Sequence, residues 1–115
     1  MNKYRDKSDF EINKAVAIAR GAEPFHNDGF KKSTGYFHKD AVIIKAKFKI
    51  GAFDPCNNPA DAMPIVIENG ISSLFNDDEW ICSVPYTGFL SINESLYRAA
   101  MEVFLMIKDA ENEKV

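Results

Sequence analysis

Cys56-Asn57-Asn58 stands immediately before Pro59, at what reads as the start of a helix. Free backbone amides at a helix N-terminus attract anions, so Asn57 and Asn58 are candidate ligand-binding residues for a carboxylate or phosphate. Arg98, the only arginine after residue 20, could clamp the same kind of group. The plainer reading is that Asn58 caps the helix, and that Arg98 pairs with Glu94 or Glu102, each four residues away. Lys45, Lys47 and Lys49 alternate along one stretch, and with Lys31 and Lys32 they could offer a nucleic acid a row of charges. A lysine row also protects an exposed sheet face or edge from aggregation, and that is the preferred reading. His26, His38 and Cys56 match no zinc spacing. Asp77-Asp78-Glu79 are adjacent, so their side chains cannot converge on a cation as an EF-hand loop does. Glu94 and Glu102 are not an acid–base pair without geometry to make them one. No GxSxG, P-loop, HExxH or Gly-rich dinucleotide turn is present. These residues therefore point to no catalysis, no metal and no cofactor.

The elements that must position these residues are easier to read. Asn58 as N-cap, Pro59 at the first helical position and Asp61 in the first turn start a helix over 59–69, which Gly70 ends in a left-handed cap. Pro64 lies inside it, withholds a bond from the carbonyl of Ala60, and predicts a kink. Ser8 with Glu11 forms a capping box for a helix over 9–20, with Ile12, Ala15, Val16 and Ala19 on its apolar face. Residues 22–40 have no clean period; Gly29 and Gly35 mark turns. Phe25, Phe30, Tyr36 and Phe37 there could stack bases, or could cover the edge of the core.

Residues 41–50 read as one strand, with Ile44, Ala46, Phe48 and Ile50 inward and the three lysines outward. A hairpin over 71–75 and 80–84, joined by a four-residue loop, puts Trp80, Cys82 and Val84 on one face. Residues 85–90 form a loop with room for a short further strand. Ser91 with Glu94 then caps a last helix over 92–109. That helix has a broad apolar face (Leu96, Ala99, Ala100, Val103, Phe104, Ile107) and a second stripe of Tyr97, Met101 and Leu105. A helix apolar on two sides is either sandwiched or carries an interface, which raises a homodimer through this helix. The whole is an α+β fold: a small, mostly antiparallel sheet sandwiched by helices.

Composition is ordinary for a globular chain, with 46% hydrophobic and 27% charged residues. Residues 1–115 read as a single domain. Apolar runs are too short to span a bilayer, and the first residues do not resemble a signal peptide. Two isolated cysteines in such a chain suggest buried, reduced thiols and the cytoplasm. The net charge of −3 conceals an asymmetry: residues 1–50 carry 11 basic and 6 acidic side chains, and residues 51–115 carry 3 and 11. Opposite charges packed against each other within the fold explain this more simply than a basic binding surface.

SDFEINKAVA near the start, DPCNNPADAMPIVIENGI in the middle and LYRAAMEVFLMIKDAE near the end resemble the NinX-like proteins of temperate enteric bacteriophages. The order of elements is also similar to the phage ABA-sandwich domain. The likeness covers about residues 8–20 and 54–110; residues 22–52 match nothing in it. It implies a phage or prophage origin, an α/β/α sandwich with helices on both faces, and a location in the host cytoplasm. No catalytic residue comes with it. Met63 stands where the family has an aromatic side chain. The reading that follows is a non-enzymatic accessory protein that binds a host protein. Alternatives are a sequestering site for a small anion or nucleotide at Asn57, Asn58 and Arg98, and weak nucleic-acid binding through Lys45, Lys47 and Lys49. No membrane partner is expected.

Overall fold

The computed structural model describes residues 2–33 and 40–113. Tyr36, Phe37 and His38, named above as loop residues, lie outside these. The Ser8 hydroxyl accepts the Glu11 N–H at 3.2 Å and opens helix α1, Asp9–Ala19. Only half of the capping box forms, because the Glu11 carboxylate turns instead toward Lys7 and Lys32. The buried face of α1 is rotated from expectation. Phe10, Ile12, Asn13, Val16 and Ala17 are buried, while Ala19 is exposed.

The stretch without period contains two short strands, β1 (Glu23–Pro24) and β2 (Phe30–Lys31), separated by a 3-10 turn at His26–Asp28. Both pair antiparallel with β3, Ala41–Lys45. The chain passes so close at Gly29 that a Cβ there would overlap Pro24. The expected strand over 41–50 is in fact a hairpin. The Ala46 N–H bonds to the Lys49 carbonyl at 2.9 Å, and the chain returns as β4, Ile50–Ala52, in register Ile43↔Ala52. Val42 and Ile44 point into the core, whereas Phe48 and Ile50 are exposed.

Helix α2 spans Pro59–Asn69 as read from its caps. Asn58 accepts the Ala60 N–H at 2.9 Å, Gly70 sits at φ 63°, and the Ile71 N–H reaches back to the Val66 carbonyl. Pro64 and Ala60 are both exposed, so the proline stands on the solvent side of α2 rather than against the core.

Strands β5 (Ser72–Asn76) and β6 (Glu79–Ser83) pair in register Asn76↔Glu79, leaving a two-residue turn. Asp77 and Asp78 take φ of 50° and 63°, as a type I′ turn requires, so the expected four-residue loop is shorter by two. A third strand, β7 (Leu90–Asn93), pairs with β6 in register Cys82↔Ser91. Ser91 is thus a strand residue, not a cap. Ser95 takes that role for helix α3, Leu96–Glu113, by accepting the Arg98 N–H at 3.3 Å.

The sheet strands thus form two antiparallel sheets rather than one, β1–β4 and β5–β7. Every residue of α3 from Arg98 to Leu105 is buried. This helix packs on α1, α2, β6 and β7, while α1 also packs on β3. Of the stripe Tyr97, Met101 and Leu105 that raised a dimer, Met101 and Leu105 are covered by the chain's own elements, and Tyr97 is partly buried. The architecture is a small α+β fold with antiparallel sheets flanked by helices, consistent with an α/β/α sandwich.

Candidate functional site

Arg98 lies on the buried half of α3, beneath the segment that leads into α1. Its Nε donates to Glu102 Oε2 at 2.6 Å, one η nitrogen to Asp9 Oδ1 at 2.7 Å, and the other to the carbonyls of Tyr4 and Lys7. Burial alone would lower its pKa, but the bonds to Asp9 and Glu102 outweigh that, and the net shift is upward. The guanidinium is therefore a permanently charged clamp engaged with its own chain. Of the two helical partners foreseen, Glu102 is used. It also accepts from the buried Ser91 hydroxyl at 2.7 Å and from the Asn2 side chain.

Asn57 meets the same cluster. Its amide donates to Asp9 Oδ2 at 3.3 Å and to Asp54 Oδ1 at 3.0 Å, so one aspartate carboxylate is shared by Asn57 and Arg98. Asn13 bonds Asp54 at 2.7 Å and receives the Cys56 N–H at 3.0 Å. Asp61 receives the Asp54 N–H at 2.9 Å and holds Lys49 at 2.6 Å. Asn58 is engaged as the α2 cap. A cleft of about 420 Å³ opens beside this cluster, and Asp9, Asp40 and Asp54 line it with Asn13 and Asn57. Two of these carboxylates are engaged within the chain, Asp9 with Arg98 and Asp54 with Asn13 and Asn57.

Burial holds both thiols in the protonated form. Cys56 and Cys82 are buried and free, and burial raises both, Cys82 to about 11. No group of three or more His, Cys, Asp or Glu side chains able to hold a metal occurs among the described residues. His26 is exposed, at φ 55°, with its ring edge-on to Phe25. Of the lysines foreseen as a strip, Lys45 ends β3, Lys47 sits in the β3–β4 turn, and Lys49 is paired with Asp61.

The feature that the residue types did not announce is an open sheet face. Across β5–β6–β7, Cys82 and Ser91 point toward α3 and are fully buried. On the opposite face Leu74, Ile81 and Ile92 stand in one row, and Leu90 beside them. Leu74 is 62% exposed, Ile92 49% and Leu90 48%. Apolar residues are adjacent in both Ser72–Asn76 and Glu79–Ser83, so no polar–apolar alternation marks this face in the sequence. The face is also incomplete without β7, whose residues read in the sequence as a loop and a helix start. A groove of about 500 Å³ runs along the free edge of β7, lined by Arg5, Glu79, Leu90, Ile92 and Met106 among others.

No described helix is long and apolar enough to cross a membrane. No curated protein and no solved structure matches the chain. The profile of one family, described as Bacteriophage P22, NinX, matches residues 3–108 and so includes the 22–52 stretch that carried no likeness by eye. A match over that length places the chain in a bacteriophage family, and the protein belongs to the NinX family.

Proposed function

We propose that this protein is a phage or prophage accessory protein that works in the host cytoplasm by binding a host protein, without catalysis of its own. The observation that supports this reading is the open face of β5–β6–β7, where Leu74, Ile81, Leu90 and Ile92 stand together outside the core. Scattered exposed apolar residues are normal; a contiguous row on one sheet face marks an interaction surface. Covering four side chains that are already about half buried contributes on the order of 1 kcal/mol each. That total of roughly 4 kcal/mol only offsets the low end of the cost of association, so the partner must add polar or charged contacts at the rim. Arg98, Asn57 and Asn58 we read as the internal tie between α1, α2 and α3 rather than as ligand contacts.

The test is capture from a host lysate with the wild type and with the double variant Leu74→Asn, Ile92→Asn. The expected result is one stoichiometric partner that the double variant does not retain. Background proteins alone, or a partner held equally by both, would overturn the reading.

A further inference from the structure

We infer that the element seated on the open face of β5–β6–β7 is an amphipathic helix of the partner protein, with Lys or Arg gathered at the end that lies over the β5–β6 turn. This rests on the protein-binding reading above and adds the chemistry of the bound segment. Three strands about 4.8 Å apart present a strip that accommodates one helix of about 10 Å diameter. The same sheet already takes a helix, α3, on its other face. The apolar row Leu74, Ile81 and Ile92 with Leu90 offers the counterpart of a single apolar helix stripe.

Charge selects the rim of that helix. Asp77, Asp78 and Glu79 form and follow the β5–β6 turn. Glu94 joins them at the same end of the sheet, because it follows Asn93, which lies opposite Trp80. All four are exposed, and none is ion-paired among the described residues. Residues 50–97 contain no Lys or Arg at all. The described cation lining the groove along β7 is Arg5, which shares that groove with Glu79. A second copy laid face to face would set these acids against the same base-poor strands, since residues 50–97 hold no Lys or Arg. Anionic lipid and nucleic acid would be repelled by them. A cationic helix gains at this end both from its side chains and, when its N-terminus lies there, from its dipole.

Fluorescence anisotropy of labelled peptides of about five helical turns tests this. One peptide carries a leucine stripe with lysines at its N-terminal end, a second carries glutamates in their place, and a third is a shuffled sequence without a stripe. The Leu/Lys peptide should bind at least about tenfold more tightly than the Leu/Glu peptide at low salt, and the advantage should shrink as salt rises. Leu74→Asn or Ile92→Asn should abolish binding, with the fold verified by circular dichroism. The triple variant Asp77→Asn, Asp78→Asn, Glu79→Gln should bring the two peptides together. Equal binding of both peptides to the wild type, or binding by the shuffled peptide, would overturn the charge inference while leaving the protein-binding reading standing. No peptide binding together with lysate capture unaffected by the face variants would remove both. A dimer in sedimentation that Leu74→Asn disperses would assign the face to a second copy and also overturn the inference.

Discussion

Arg98 shows how a residue with the chemistry of a ligand clamp becomes a structural tie. Its donors reach Glu102 on its own helix, Asp9 on α1 and two carbonyls of the leading segment. Removing the guanidinium leaves Glu102, 1% exposed in its side chain, charged and without its cationic partner. Arg98→Met should therefore destabilise the fold by about 3–5 kcal/mol. The double variant Arg98→Met, Glu102→Met should recover much of that loss, since no lone charge remains buried. Urea unfolding of the variants, compared as a cycle, measures both. The cysteines make a second test at this scale. Burial raises Cys82 from 9.0 to about 11, so the folded state keeps its proton over a range where the unfolded chain has lost it. The unfolded chain then binds fewer protons, so stability falls as pH rises. The stabilising contribution is complete below about pH 9 and is lost toward pH 11. Cys82→Ala should flatten the decline of the melting temperature between those pH values relative to wild type.

Whole elements were legible where local chemistry is one-sided. Asn58, Pro59 and Gly70 fix the bounds of α2 because cap, fixed φ and left-handed terminus all agree on the same residues. The β3–β4 reversal was hidden because Ala46-Lys47-Phe48-Lys49 contains no Gly, Pro, Asn or Asp and continues the alternation of the strand before it. Phe48 turns out to lie against the Arg20 guanidinium, 4.6 Å from its ring centre, instead of in the core. Ser91 misled for the opposite reason: its spacing to Glu94 imitates a cap, while its hydroxyl serves Glu102 from a strand. Of the candidate site, residue types pointed to Arg98 and Asn57 but not to Asp9, the tertiary contact that joins them. Pro64 gives a prediction at this scale. Because it is solvent-facing and inside α2, Pro64→Ala restores the N–H for the Ala60 carbonyl and removes a ring clash. An interior proline costs about 3 kcal/mol in a helix. Its loss also frees the unfolded chain by about 0.4–1 kcal/mol. The net expectation is a gain of about 2–2.6 kcal/mol, read as a higher urea midpoint with an unchanged slope.

At the scale of the molecule, the charge asymmetry between the two halves is expressed as contacts between them. Lys3 with Asp109, Arg20 with Glu68 and Lys49 with Asp61 each join a base of 1–50 to an acid of 51–115. The exposed members of this set contribute little to stability individually. The acidic β5–β6 turn carries no ion pair among the described residues, and the apolar face lies beside it, so stability and binding should separate there. Leu74, Leu90 and Ile92 are about half exposed and are not part of the core. The double variant Leu74→Asn, Ile92→Asn should consequently leave unfolding free energy within about 0.5–1 kcal/mol of wild type. A core change such as Met101→Ala, in the stripe buried under α1, α2 and the sheet, should cost about 2–5 kcal/mol. If the face double variant unfolded as readily as Met101→Ala, then this face would belong to the folding core of the chain. Its exposure would then carry no functional weight. Equal melting temperatures for wild type and the double variant, with partner capture lost only in the latter, are the expected pair of results.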